Sequence, residues 1–437
     1  MRCRSFLWIS LIAGMTGINL EATMYAQTPA APSGRAEWSL DDVLTVVLAE
    51  HPLVNAARAQ LSAVEGKRQT ARVLPNPVAT FWMENARFPG QSSPTGLERE
   101  TSAYATFPLE PFFQRSARTA EADGDVHAAQ AAVTTAEQRT ATEAVHAFYR
   151  VALAQASLDA ATENRTAIDQ LLEYLRNRVA QGATAEGELI RTEVERDRLE
   201  TEVTLADVEL LRAQSALRAF LGGAATAGPL RVAVPGWGGS RATLTPLTEL
   251  TAHALAQRPE LVASRARRDA ASGALALERA LVVRQLGATF GLKRTAGINA
   301  MIAGVSVTVP IFDRNHGEIQ RATGEQLASE QESQWLERSI TSEIDAEYLA
   351  AERLAGRVSA LQPSYLARAE ESRRIALAAY QEGATGLLQV LDASRALSDA
   401  RLSYARALVA ANESLFDLGV LAGYDAKTAA RLGGGDR

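Results

Sequence analysis

Hydrophobic and polar positions alternate most clearly near the middle of the chain. Leu286, Ala288, Phe290 and Leu292 stand against Gly287, Thr289, Gly291 and Lys293. After a Gly/Asn break, Met301, Ala303, Val305, Val307 and Val309 stand against Ile302, Gly304, Ser306 and Thr308. A period of two over about ten residues predicts paired strands with one apolar and one polar face. A tilted strand of about that length crosses the hydrocarbon core of a bilayer. The expected limits are about 284–295 and about 300–310, and Asp313-Arg314-Asn315 then leads into a helix. A second pair is expected earlier, at about 76–86 and about 100–108, around a Pro/Gly/Ser loop over 87–99.

Elsewhere the period is helical. Ser39 is placed to cap a helix opened by Leu40, and His51-Pro52 starts another, with Val54, Ala57, Leu61 and Val64 at three-four spacing. Beyond Pro108 a helix runs almost free of Gly and Pro to about Ala180. At 1.5 Å per residue it is on the order of 100 Å long. Gln181-Gly182-Ala183-Thr184 turns the chain, and Leu199, Val203, Ala206, Leu210, Ala213, Leu217 and Phe220 mark a coiled-coil seam on the returning helix. Tyr404, Leu408, Ala411, Leu415 and Leu418 repeat that seam near the end.

The whole plan occurs twice. His51-Pro52 is echoed by Arg258-Pro259, Thr106-Phe107-Pro108-Leu109 by Thr308-Val309-Pro310-Ile311, Gln181-Gly182-Ala183-Thr184 by Glu382-Gly383-Ala384-Thr385, and Leu221-Gly222 by Ala422-Gly423. The offsets are 207, 202, 201 and 201 residues, which identifies a tandem duplication. The expected organisation is a first repeat over 38–222, a Gly/Pro-rich linker over 223–245, a second repeat over 246–424 and a tail over 425–437.

Composition narrows the function classes. With 45 Lys+Arg against 51 Asp+Glu the net charge is −6, and no basic run marks a nucleic-acid footprint. Residues 1–26 read as a secretory signal, with Arg2 and Arg4 before an apolar run too short to span a membrane, and residues 27–37 as a flexible leader. Cleavage there would remove Cys3, the only cysteine, leaving no thiol for lipidation or disulfides, and shift the net charge to −7. No later segment approaches 18 consecutive apolar residues. A secreted, helix-rich chain with paired amphipathic strands points to the envelope of a Gram-negative cell. His51, His127, His146, His253 and His316 are scattered without metal-ligand spacing. No phosphate loop or nucleophilic triad is evident, so neither enzyme nor cofactor is expected.

Four strands cannot close a barrel, since the smallest membrane barrels have about eight. Copies must pool their strands, and the helical seams must close with the same symmetry. Three copies would give 12 strands continued by a ring of 12 helical legs.

Over residues 38–424 the chain resembles the TolC-like outer membrane efflux proteins, most of all their heavy-metal (CzcC/CusC-type) branch. The resemblance rests on Leu74-Pro75-Asn76-Pro77, on the run from Val309 to Ile319, and on Tyr380-Gln381-Glu382-Gly383 followed by Gln389-Val390-Leu391-Asp392-Ala393. It implies a mainly α fold with a small β part: a homotrimer with a 12-stranded barrel in outer-membrane lipid and a periplasmic α-helical tunnel. It also implies a passive exit duct docked onto a periplasmic adaptor and an inner-membrane RND pump, with divalent metal cations as cargo. The tunnel tip falls at Gly182, Ala183, Thr184 and Gly383, Ala384, Thr385. Tyr380 matches the family's gate tyrosine, and Gln389, Asp392 and Glu188 stand where acidic gate residues are common. Thr385 occupies a position that is basic in well-known members, so part of the usual charge set is missing.

Two readings of Asp392 stay open. Three copies around an axis would concentrate negative potential and favour cations, or the carboxylate is a solvated residue near a helix start. Gly182 and Gly383 are expected to supply a positive φ to the turn. Pro108 and Pro310 would aim the chain from barrel to tunnel by ending strand pairing, with Asp313 or Asn315 capping the next helix. The alternative is a soluble periplasmic coiled-coil adaptor, which would not carry a duplicated amphipathic strand pair.

Overall fold

The computed structural model describes residues 37–86, 90, 98–225, 230–233, 244–283, 286–361 and 364–432. The expected signal over 1–26 and leader up to residue 36, most of the loop over 87–99 and most of the linker over 223–245 lie outside them. In chain order the elements are α1 (Leu40–Glu50), α2 (Pro52–Arg72), β1 (Val78–Glu84), β2 (Glu100–Pro108), α3 (Phe112–Ala180) and α4 (Glu186–Leu221). There follow α5 (Leu247–Gln257), α6 (Pro259–Ala280), β3 (Leu286–Thr295), β4 (Ile298–Val307), α7 (His316–Leu361), α8 (Tyr365–Gln381), α9 (Leu387–Leu421) and α10 (Ala426–Leu432).

Local chemistry accounts for the boundaries. The Ser39 hydroxyl accepts the Asp42 N–H and the Asp42 side chain reaches back to the Ser39 N–H, a reciprocal cap on α1. Pro52 and Pro259 each stand at the first turn of a helix, where a missing N–H costs nothing. At the end of α3 the N–H of Gly182 (φ 69°) bonds to the Val179 carbonyl and that of Ala183 to the Arg178 carbonyl. At the end of α8, Gly383 (φ 75°) and Ala384 bond in the same way to Tyr380 and Ala379. Both are Schellman endings, which need a left-handed residue at that place. The duplication therefore extends to individual hydrogen bonds.

Several sequence expectations need correcting. The second repeat does not have one long descending helix: α7 stops at Leu361 and α8 starts at Tyr365, with Pro363 in the gap. Proline has no N–H and its ring clashes with the carbonyl four residues back. Strand β4 ends at Val307 rather than near Pro310, because Val307 already faces Leu286, the first residue of β3. It starts early because Ala296 (φ 56°) and Gly297 (φ 83°) make a two-residue hairpin turn of the hand that suits strand twist. Strand β1 is likewise shorter than expected, bounded by Pro77 and by Asn85 at φ 55°. Part of the supposed tail is α10, whose Ala426 and Ala429 are buried and whose first turn is capped by Asp425 accepting the Lys427 and Thr428 N–H groups. Of the linker, Val232 forms a single parallel bridge to Trp38.

The four strands form one antiparallel sheet in the order β1-β2-β3-β4. Beneath it the helices follow the strands: α2 packs on α3, α3 on α6, and α6 on α7. Farther along, α4 packs on α3, α3 on α9, and α9 on both α7 and α8. A core at the waist gathers Val43, Leu44 and Val47 of α1, Phe148 of α3, Leu217 of α4 and Phe416 of α9. Its counterpart gathers Leu250 of α5, Ile340 and Ile344 of α7, and Leu415 of α9. A third core, around Ile168, Leu175, Leu199 and Leu391, lies near the helical turns.

Helices α3 and α6 cross at two glycines. A Cβ on Gly273 would lie 2.5 Å from the Glu121 backbone nitrogen, and one on Gly124 2.7 Å from that of Ala270. Gly273→Ala is expected to force the helices apart and cost about 1–3 kcal/mol, the usual penalty for overpacking. Thermal denaturation checks this against Gly66→Ala on α2, which has open space around it and gains helix propensity.

Candidate functional site

The sheet has two unlike faces. Strand register puts Phe81 and Met83 of β1, Ala103, Ala105 and Phe107 of β2, Ala288, Phe290 and Leu292 of β3, and Met301, Ala303, Val305 and Val307 of β4 on one side. The large residues there are exposed, from Met301 at 82% to Met83 and Phe107 at 44%. Thr80, Ser102, Tyr104, Thr106, Thr289, Lys293 and Ser306 line the other side. There the Thr106 and Thr289 hydroxyls meet at 3.0 Å and Lys293 pairs with Glu100. Gly291 makes room for Tyr104, since a Cβ would come within 2.3 Å of the tyrosine's own Cβ. A broad apolar face exposed on a sheet suits lipid, with the polar face turned to water. No helix among the described residues is long and apolar enough to cross a membrane. Among the described residues, β1 and β4 each have a single strand neighbour.

At the helix-side ends of the strands the chain turns sharply and buried amides fasten the corner. Gln114, 4% exposed, donates to the carbonyls of Ala280 (3.0 Å) and Val283 (2.7 Å). Asn315, at φ 62°, donates to the Glu278 carbonyl and carboxylate at 2.8 Å each, and its N–H bonds to Asp313. Both predicted capping residues thus sit at the junction, with the Asn315 amide tying the start of α7 to the end of α6. Pro108 does not end pairing as expected: it faces Gly287, and Leu109 still donates to Leu286 at 2.7 Å. The N–H that proline lacks would point toward β1, whose pairing already ended opposite Thr106. Pro310 lies three residues beyond the last strand residue.

The far end is built from the two turns. Gly182, Ala183, Gly383 and Ala384 are exposed, and Thr184 and Thr385 half-buried. Tyr380 is buried in the third core, and its hydroxyl donates to the Glu188 carboxylate at 2.7 Å, joining the second repeat to the first. Burial, and then the neighbouring Glu188, push the phenol above its ordinary range, so it remains a donor. The Tyr174 ring meets Tyr380 edge-on at 6.4 Å, and Arg178 donates to the Tyr174 hydroxyl at 2.9 Å. Gln389 accepts from Thr385. Asp392 is exposed on the second turn of α9.

Glu195 is the residue that sequence reasoning overlooked. On α4 and only 7% exposed, it receives both Arg198 and Arg395, each with contacts of 2.7 and 3.1 Å. Arg198 first, then Arg395, hold its carboxyl down at about 2 despite burial. The signal was available: Glu195 stands one turn before Leu199, a charge on the buried face of a seam. Farther up, Arg401 pairs with Glu163, and His146 with Asp417 at 3.0 Å, so carboxylates link the repeats along their length. Two other histidines make structural contacts: His51 accepts the Leu53 N–H and His253 stacks on Tyr424 at 4.3 Å. No cluster able to hold a metal ion occurs among the described residues.

Comparison with known proteins agrees with this geometry. Residues 43–223 and 250–423 match the family described as Outer membrane efflux protein. The cobalt-zinc-cadmium resistance protein CzcC of Cupriavidus metallidurans is 27% identical over 375 residues, 84% of this chain and 85% of that one. The solved structure of CusC superposes with a TM-score of 0.73 at 19% identity, covering 94% of this chain and 96% of that one. VceC from Vibrio cholerae gives 0.70 at 20% identity, covering 91% and 96%.

The Glu195 clamp carries a pH signature. A carboxylate held below its unfolded value stabilises fully above about pH 4.5 and loses that contribution as pH falls toward 2. Glu195→Gln is expected to cost about 2 kcal/mol at neutral pH, at the low end for a broken buried pair because the two arginines can rehydrate. Melting curves of variant and wild type should therefore converge between pH 4.5 and 2; a constant gap would contradict the clamp.

Proposed function

The chain belongs to the outer membrane efflux protein family, a family of transport ducts rather than enzymes, and from that premise we propose that it is the passive exit duct of a tripartite efflux system. Three copies would pool their strands into a 12-stranded barrel in the outer membrane, continued by a helical tunnel in the periplasm. The observation that carries this reading is that, among the described residues, the same two flanks stay open in the sheet and along the helices. In the sheet they are β1 and β4, beneath it α2 and α7, and farther on α4 and the α7–α8 leg. Apolar side chains mark these flanks: Ile190, Val194, Leu205 and Leu211 are exposed on α4, and Leu327, Trp335, Leu349 and Ile375 on α7 and α8. One flank of each copy meeting the opposite flank of the next is a heterologous contact that closes into a ring. A soluble coiled-coil adaptor fails as an alternative on the sheet, whose exposed apolar face water would not tolerate.

The tip would meet a periplasmic adaptor and, through it, an inner-membrane RND pump. The exposed turn residues Gly182, Ala183, Gly383 and Ala384 are the natural contact. Tyr380 bonded to Glu188 ties the two hairpins together just above that contact, as a gate at rest would require. The relative named for cobalt-zinc-cadmium resistance supports divalent heavy-metal cations as cargo. In a passive duct the attached pump chooses the substrate, and the duct needs only to let cations through. Three Asp392 carboxylates around the axis would favour that passage.

Deleting the gene from its host should lower tolerance to at least one of zinc, cobalt, cadmium, nickel, copper and silver, with recovery on re-expression; unchanged tolerance to all six would remove the metal assignment. In planar bilayers, Asp392→Ala should lower the cation-to-anion permeability ratio and relieve block by divalent cations. An unchanged ratio would place Asp392 away from the constriction.

A further inference from the structure

We propose that the corner between sheet and helices carries a belt of arginine and exposed apolar side chains that binds the headgroups of anionic phospholipids in the adjoining leaflet. The inference rests on the duct reading, which puts the sheet in lipid.

Side-chain contacts bring four segments to one level. Gln114 ties the start of α3 to the end of α6, and Asn315 ties the β4–α7 turn to that same end. Arg118 donates to the carbonyls of Ala71 and Val73 at the end of α2. All four segments adjoin strand ends, so this level is where the hydrocarbon face stops. The apolar surface continues past the last strand residues, however. Ile311 is 65% exposed, Phe312 fully so, and Phe113 51%. Bulky apolar groups at a strand end, continuous with a lipid-facing sheet, belong at the boundary between acyl chains and headgroups.

The cations at this level are what headgroup phosphates require. Most of its carboxylates are engaged: Glu110 with Arg118, Asp123 with both Arg68 and Arg72, Glu278 with Arg321 and Asn315, and Asp313 with the Asn315 N–H, while burial and the neighbouring Asp125 and Glu278 push the Glu121 carboxyl up. Three exposed arginines have no carboxylate partner among the described residues. Arg115 donates only to the Arg72 carbonyl, and Arg279 and Arg314 have no hydrogen-bond partner there. Arg279 also flanks an open groove of about 720 Å³ between α3 and α6, beside Phe113 and Ser116. Guanidinium forks match phosphodiester oxygens in pairs. A chain of net charge −6 would otherwise repel anionic lipid, so a preference for it has to arise locally.

The test uses the full-length oligomer extracted from vesicles of equimolar phosphatidylglycerol and phosphatidylethanolamine, with retained phospholipid counted by native mass spectrometry. A surface arginine is worth about 1 kcal/mol toward anionic lipid, so phosphatidylglycerol should be retained about fivefold or more over phosphatidylethanolamine. In the Arg115→Gln, Arg279→Gln, Arg314→Gln triple variant the ratio should fall close to one, and the corresponding lysine variant should recover much of it. Equal retention by wild type, or an unchanged ratio in the glutamine variant, would overturn the belt. An oligomer that conducts without headgroup preference sinks the belt alone. A wild-type protein that neither assembles nor conducts sinks the duct reading, and the belt with it.

Discussion

Hydrocarbon offers a backbone no hydrogen bonds, and the architecture answers to that fact. Strands β1 and β4 each present one row of N–H and C=O groups with no strand neighbour among the described residues, at a cost of several kcal/mol for each group left unmet in lipid. In the proposed duct, the exposed apolar face commits the sheet to lipid, and lipid then commits the edges to another copy. The helices inherit the requirement. Each grows from the strand beside it, so in that duct a ring of strands would become a ring of helices, with the same flanks left for the neighbour at the sheet, beneath it and farther along.

Within one chain, the harder problem is to hold two halves of a duplicated sequence in register over helices on the order of 100 Å long. Apolar seams alone slide readily. Directional links between the repeats remove that freedom: His146 to Asp417, Arg401 to Glu163, Arg395 to Glu195, and Tyr380 to Glu188. Each joins a group from one half to a group from the other. Glu195 is the most costly to misplace, because a buried carboxylate without its two guanidinium partners would be left unsatisfied. Between these links the second hairpin's outer leg is divided into α7, ending at Leu361, and α8, starting at Tyr365, where the first has a continuous helix of 69 residues.

How much of this could be read beforehand follows from the range of each interaction. Period-two and period-3.6 patterns are local, so the strands and helices were legible, as were the Ser39 cap and both turn glycines. The duplication was legible because its offsets hardly drift. Boundaries failed where partners rather than propensity decide: β4 ends at Val307, opposite Leu286, the first residue of β3. Pro363 was visible in the sequence but was outweighed by the regular pattern around it. Glu188 and Tyr380 could each be named from resemblance, yet their bond spans 192 residues and no spacing rule contains it. Glu195 was concealed differently, as a charge where the seam leads one to look for leucines.

Everything here depends on the open edges being closed by identical chains. The most direct measurement is the mass and strand count of the detergent-extracted particle, by native mass spectrometry and single-particle imaging. The account predicts a closed ring of three chains with 12 strands around one axial channel. A monodisperse single chain with its sheet edges still unpaired would contradict it.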